Sequence, residues 1–276
     1  MLRLIKRHLA NLRRVALSVE SADVVVAREA LLKKENQADP SRLGRFEYQV
    51  YSQNGEDGII SEIFNRIGET NRKCVEIGVA HNENNTLHLL NQGWSGLWLD
   101  LELDKGDFAP ALMDMVREGR LKAESVWVET ETLKEFLEER GFGEGIDLVS
   151  VDIDYNTYAA WEAIIGLKAR VAVVEYNADL GSDRSLRVAP DDRGVWDGSF
   201  YFGASLKALE NLGRKHGYSL VGCDLVGVNA FFVRNDCVEG HFAEPFTSEF
   251  HYQSLRMWLR PHRGYRQGFG KFLTDS

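Results

Sequence analysis

The sequence predicts an α/β protein on a mostly parallel, seven-stranded sheet that closes with a C-terminal antiparallel hairpin. Three observations carry this expectation. From Tyr48 onward, short apolar runs alternate with segments of helical periodicity, the pattern of parallel strands covered by helices on both faces. The last two strand-like runs, at 219–222 and 229–233, are only six residues apart, too few for a crossover, so they pair antiparallel. At 276 residues the chain is long for one domain and short for two, which suits one α/β unit with a segment added at each end.

Three segments follow from that reading: an N-terminal helical extension over 1–47, a ligand-binding domain over 48–235 and a C-terminal extension over 236–276 packed on it. At the amino terminus Arg3, Lys6, Arg7, Arg13 and Arg14 precede any acidic residue, and Leu2, Ile5, Leu9, Leu12 and Ala16 fall at helical spacing. This is a basic amphipathic helix. It suits packing on its own domain or on a second subunit, and also peripheral contact with an anionic membrane.

Within the domain, Ile59, Ile60, Ile63 and Phe64 predict a helix over 57–68, with Asn54 and Asp57 as candidate caps. Strands follow at 73–77 and 96–100, a helix at 107–118 and a strand at 124–128. Then come a helix at 130–140, a strand at 147–152, a helix at 157–168 and a strand at 170–175. A polar stretch with three glycines, 177–199, leads to a helix at 203–216, with Ser199 as its candidate cap, and then to the hairpin. Five parallel strands and a terminal hairpin form the pattern of the class I methyltransferase fold, a Rossmann-like arrangement.

Composition narrows the function. A formal net charge of −9 argues against general nucleic-acid binding. No apolar run reaches the roughly 20 residues that span a bilayer. Cys74, Cys223 and Cys237 have neither disulfide-framework nor metal spacing, which fits a reducing cytoplasm.

In open α/β sheets, ligands sit just past the carboxyl ends of the strands. The first strand ends in Glu76-Ile77-Gly78, a tight turn at which a nucleotide-like cofactor approaches backbone. The second ends 24 residues later on Asp100, about where a nucleoside-binding domain places the acid that accepts from ribose hydroxyls; a turn-capping role also fits. The fourth and fifth strands end in Val151-Asp152-Ile153-Asp154 and Val174-Glu175-Tyr176-Asn177. If 151–154 continues as a strand, Asp152 and Asp154 face the same way as Glu175 and Asn177 do on their neighbour. Four hard oxygen donors at one edge suit Mg²⁺. The same acids also fit a general base or substrate anchor, or a cap for the helix at Thr157.

The elements Tyr51-Ser-Gln-Asn-Gly-Glu-Asp-Gly58, Val75-Glu-Ile-Gly-Val79, Gly93-Trp-Ser-Gly-Leu-Trp-Leu-Asp100, Val151-Asp-Ile-Asp-Tyr-Asn156, Val174-Glu-Tyr-Asn177 and Tyr201-Phe-Gly-Ala-Ser-Leu206, followed by Gly227-Val-Asn-Ala-Phe-Phe232, resemble in order and spacing a branch of the FkbM-like methyltransferases. The resemblance spans about 48–235. It implies an S-adenosylmethionine-dependent enzyme that methylates oxygen in natural-product or glycan pathways. In that architecture Gln53 becomes a candidate for the methionine end of the cofactor, beside Glu76, Gly78 and Asp100. Asp152, Asp154, Glu175 and Asn177 become candidate Mg²⁺ ligands, as in catechol-type O-methyltransferases, and Asp154 and His81 become candidate catalytic groups. One departure is Gly78-Val-Ala-His81, where many methyltransferases carry another glycine. The segment 178–198, with Arg184, Arg187, Asp191, Asp192 and Trp196, is long enough to be a substrate lid.

Rival readings are a metal-dependent glycosyltransferase using Asp-x-Asp, a nicotinamide oxidoreductase that lacks the Gly-x-Gly-x-x-Gly spacing, and a non-catalytic scaffold. The aromatic and basic tail beyond 235 is expected to pack over the sheet edge or a partner subunit, in a possible homo-oligomer.

Overall fold

The computed structural model describes residues 23–35, 39–79, 84–101, 103, 110–256, 259 and 273–274. The basic segment ahead of residue 23 and His81 lie outside them.

Strands β1 (Lys73–Ile77), β2 (Ser95–Asp100), β3 (Leu121–Ser125), β4 (Leu148–Val151) and β5 (Val171–Glu175) are parallel. Strands β7 (Tyr218–Cys223) and β8 (Asn229–Arg234) form the hairpin, and β8 pairs antiparallel with β5. The order β3-β2-β1-β4-β5-β8-β7 is that of a class I methyltransferase fold. Its switch point, where the chain reverses direction across the sheet, lies between β1 and β4.

Period-two alternation divides the core. Cys74, Trp98, Leu148, Val171, Val173, Phe231 and Val233 point to one face, where α2 (Glu56–Ile67) lays down Ile59, Ile60, Ile63 and Phe64. Their neighbours Val75, Leu97, Val149, Ala172, Val174 and Phe232 point to the other face. There α5 (Thr130–Glu139), α6 (Thr157–Ile164) and α7 (Leu206–Lys215) cover them with Leu133, Leu137, Trp161, Ile164, Leu209 and Leu212. Trp98, Trp161, Phe231 and Phe232 are fully buried, each contributing on the order of 1.5–3 kcal/mol by leaving water. A helix over 23–35, α1, rests Ala27 and Leu31 on Val226, Val228 and Leu259. Among the described residues, no helix is long and apolar enough to cross a membrane.

Several expectations shift. The third strand runs over 121–125 rather than 124–128, because its neighbour in the sheet, β2, ends at Asp100 opposite Ser125. Val126 and Val128 are then free to line a cleft. The short helices α3 (Leu87–Asn91) and α8 (Ser248–His251) have too few turns to show a period. Helix α4 (Pro110–Arg117) falls within the helix expected over 107–118, whose first residues lie outside the described ones. A two-stranded sheet joins β6 (Leu186–Arg187) to β9 (Leu273–Thr274), a pairing of two-residue strands that no local pattern announces.

The expected caps are also reassigned. Gly55 is the N-cap of α2, and Asp57 instead gathers the N–H groups of Val50, Tyr51 and Ser52 on one carboxylate oxygen. Ser205, not Ser199, caps α7 by accepting from the Ala208 N–H.

Candidate active site at the carboxyl ends of the strands

The registers bring the sequence's candidates into one row. Glu175 and Asn229 are direct cross-strand partners. Carried one residue past the strand ends, the β1–β2, β1–β4 and β4–β5 registers align Asp100, Gly78, Asp152 and Glu175. The order across the sheet mouth is thus Asp100, Gly78, Asp152, Glu175, Asn229. By alternation these side chains fall on the face that α2 covers, two residues beyond Trp98, Ser150, Val173 and Phe231. They border a cleft of about 810 Å³, within the range of small-molecule sites.

Gly78 is required by two independent facts. Its φ of +85° lies in the left-handed region. A Cβ there would also overlap the carbonyl oxygen of Asp152, whose N–H donates to the Ile77 carbonyl at 2.8 Å. The turn therefore keeps bare backbone at the cleft. Asp100, on the next strand, accepts from the Val79 N–H at 3.0 Å, so it does cap the turn while bordering the cleft.

Glu76 lines the cleft, yet its oxygens are committed. One accepts from the Asn85 N–H at 2.7 Å, the other from the Thr86 N–H at 3.0 Å and the Thr86 hydroxyl at 2.5 Å. Burial pushes its carboxyl up to about 7, against the hydrogen bonds from Thr86 and Asn85, with Asp152 adding to the rise. Glu76 thus shapes the cleft wall by fixing the loop that opens α3. Gln53 also lines the cleft, on a segment whose carbonyls at 52 and 53 accept from the Gln49 side chain.

Asp152, Asp154 and Glu175 each bring a carboxylate oxygen within 4.8 Å of the other two. The route differs from the expected one. β4 stops at Val151, and Asp154 has a left-handed φ of +58°, so a turn rather than strand alternation aims it. The Ile153 N–H donates to the Thr157 hydroxyl, which lies 3.4 Å from Glu175, and the N-cap of α6, Asn156, makes no side-chain cap bond. Burial raises Glu175 well above its ordinary range, with Asp152 and Asp154 adding to the rise; burial and Asp100 raise Asp154.

Asn177 is placed differently from the sequence expectation. Its Nδ2 donates to the carbonyls of Phe200 and Phe202 at 2.8 and 3.1 Å, and its Oδ1 accepts from the Asp179 N–H at 3.2 Å. Those bonds hold the 177–202 loop at its two ends, away from the cleft lining.

That loop closes one side of the cleft. The Asp192 carboxylate accepts from the Thr130 N–H, the Thr130 hydroxyl and the Asn156 side chain at 2.8–3.0 Å. The Asp192 carbonyl accepts from the Trp127 indole, and Arg193 pairs with Glu129. Trp196 borders the cleft, donating its indole N–H to the Ser199 carbonyl with its ring edge-on to Phe202. Arg187 lies over the Tyr158 ring rather than in the cleft lining.

Two contributors were not foreseen, Trp127 and Asn229. A polar residue opening the apolar run 229–233 was the available signal for the second. Among the described residues that line the cleft, Glu76, Asp100, Asp152, Asp154, Glu175 and Asp192 are acidic, and none is Lys, Arg or His.

No protein-family model matches the chain, and no curated protein matches it. Solved structures do. An O-methyltransferase family protein from Burkholderia thailandensis is 12% identical over 65% of this chain and 57% of its own, with a TM-score of 0.33. The N-terminal domain of EvdMO1, solved with SAH bound, is 15% identical over 75% of this chain and 96% of its own, with a TM-score of 0.42. A putative O-methyltransferase from Nostoc punctiforme is 11% identical over 65% of this chain and 55% of its own, with a TM-score of 0.38. The chain spans little more than half the length of the first and third of these. The fold rests on strand order and register, not on these distant likenesses.

Proposed function

We propose that this protein is an S-adenosylmethionine-dependent O-methyltransferase acting, with the help of a divalent cation, on a hydroxyl of a sugar, glycan or secondary metabolite. The observation that carries the reading is the pair Gly78 and Asp100 at the switch point: a turn that admits no Cβ beside an acid on the next strand. These fit a nucleoside-bearing cofactor, with backbone at 78–79 meeting it and Asp100 accepting from ribose hydroxyls. The acidic lining supports a positively charged ligand over a diphosphate, which would face Glu76, Asp100 and Asp152 with no basic side chain among the described lining residues.

When bound, the cofactor supplies an electrophilic methyl group on a sulfonium whose charge is lost on transfer. The protein's contribution is placement and proton handling. Gln53 and Glu76 shape the near wall, Glu76 through its hold on Asn85 and Thr86. Trp127 and Trp196 offer flat apolar faces to an acceptor ring. Asp152, Asp154 and Glu175 would hold Mg²⁺, which supplies Lewis-acid polarisation of an acceptor oxygen. Asp154, exposed at the cleft mouth but raised by partial desolvation and by Asp100, is a base candidate for the hydroxyl proton. His81 stands as a second base candidate on sequence grounds alone.

Calorimetric titration of the full chain with S-adenosylmethionine, with and without Mg²⁺, tests the reading. Micromolar binding that Asp100→Ala abolishes is the expected result. No binding, with heat from a nucleotide sugar in Mg²⁺ instead, would replace it with a metal-dependent glycosyltransferase. Tight cofactor binding without turnover of any hydroxyl acceptor would favour a scaffold.

A further inference from the structure

We infer that Asn229 supplies an oxygen ligand to the divalent cation of the acidic cluster, the role that sequence reasoning gave to Asn177. The inference rests on the cation reading of Asp152, Asp154 and Glu175, and does not depend on which group is transferred.

Three facing carboxylates alone do not make a site. The independent observation is the Asn229 amide. The residue is 2% exposed, borders the cleft, and its Oδ1 has no hydrogen-bond partner among the described residues. A buried acceptor left unmatched is costly, so the fold is expected to supply it a partner. Its orientation is fixed chemically: Nδ2 donates to Glu56 Oε1 at 2.9 Å, and the flipped amide would set oxygen against a carboxylate. The oxygen is therefore the atom turned away from Glu56. Asn229 stands directly across from Glu175, and Cβ atoms of such partners lie about 4.5–5.5 Å apart on one face of the sheet. Three carboxylates and an amide carbonyl make a hard, all-oxygen donor set suited to Mg²⁺ or Mn²⁺. Asn177, by contrast, spends its amide on Phe200, Phe202 and Asp179.

The arrangement has a second level. Glu56 also accepts from the Asn54 N–H, the Asn54 side chain and the Gly55 N–H. It thereby ties the segment carrying Gln53 to the residue that faces the cation. Asn229 binds, and Glu56 positions it.

The test uses Mn²⁺ as the probe and the full chain, following loss of the free-ion paramagnetic resonance signal, with thermal melting in parallel. The wild type is expected to show one tight site that Asp154→Asn removes. Asn229→Ala should weaken it about 10-fold or more, in the range found when groups around a metal are removed. Asn229→Asp, which keeps an oxygen at the position, should retain or tighten it, and decides the matter if the alanine variant fails to fold. Unchanged Mn²⁺ affinity in Asn229→Ala with a lowered melting temperature would mean packing alone and overturn the inference, as would loss of affinity in Asn229→Asp. Absence of a tight site in the wild type would overturn it too, while cofactor binding measured calorimetrically in a chelator would still stand or fall by itself.

Discussion

Asp147 and Asp152 flank the same four-residue strand, β4, and have opposite surroundings. At the amino end, Asp147 is fully buried and saturated. It accepts from the N–H groups of Thr70, Asn71 and Arg72 and from the Thr70 hydroxyl at 2.6–2.9 Å, with Arg170 at 3.3 Å. Burial alone would raise its pKa, but those hydrogen bonds outweigh it and hold the group below its ordinary value. At the carboxyl end, Asp152 faces Glu175 and Asp154, carboxylate against carboxylate. A saturated acid holds the sheet together; acids that face each other cost stability and mark where a ligand belongs.

The largest expected effect tests the first half of that statement. Asp147→Ala strands three backbone donors in the β1–β4 corner and takes the counter-charge from the Arg170 guanidinium, which keeps the Gly68 and Ile67 carbonyls. It should destabilise the fold by about 3–5 kcal/mol, as breaking a buried pair does, read as a shift in the denaturant midpoint. Because the folded pKa lies below the unfolded one, the Asp147 contribution is present above about pH 4 and is lost as pH falls through the folded value. The acid limb of the stability curve should flatten in the variant.

Glu175→Gln tests the other half and should move stability the other way. Removing one of three mutually repelling acids is expected to stabilise the protein by roughly 1 kcal/mol, or about 2–4 °C in melting temperature, while abolishing tight Mn²⁺ binding. A variant that melts lower would place Glu175 with Asp147 among the structural acids and remove the ground for a cation site.

A third acid sits between these extremes. Glu47 is buried beneath α1, with Arg28 3.6 Å away. Burial, with Asp224 adding and Arg28 opposing, pushes its carboxyl up to about 9. The folded state therefore holds a proton that the unfolded chain releases near pH 4.5. Its contribution is complete below that value and drains away as pH rises through about 9. Glu47→Gln should narrow the drop in melting temperature between pH 6 and pH 9; an unchanged drop would mean that Glu47 is ionised in the fold.

Much of this was legible from sequence because it depends on local pattern. Short apolar runs such as 73–77 and 171–174, alternating with helical segments, and the six-residue spacing before Asn229 determine the sheet and its hairpin. A tight turn at Gly78 and acids at 100, 152, 154 and 175 place the cleft. What escaped depends on partners distant in the chain. Nothing near Asn177 says that Phe200 and Phe202 will take its amide, and nothing near Asn229 says that Glu56 will orient it from 173 residues away. Asp154 was expected to face Asp152 through strand alternation, yet a left-handed turn does that work. The end of β3 likewise follows from where β2 stops, not from the apolar run at 126–128.

Asp192 tests whether the comparison depends on position or on surroundings. It stands at the site end of the molecule, but its carboxylate is satisfied in the manner of Asp147, accepting from Thr130 and Asn156. One of those bonds reaches the first N–H of α5, whose own N-cap, Glu129, makes no side-chain cap bond. Asp192 therefore caps that helix from across the cleft, and it is half-buried rather than enclosed. Asp192→Ala should cost about 0.5–2 kcal/mol, the usual value of a lost cap, and leave Mn²⁺ affinity unchanged. If affinity falls with stability, the 177–202 loop and the acidic cluster act as one unit. If stability alone falls, a carboxylate's partners, and not its end of the sheet, decide its role.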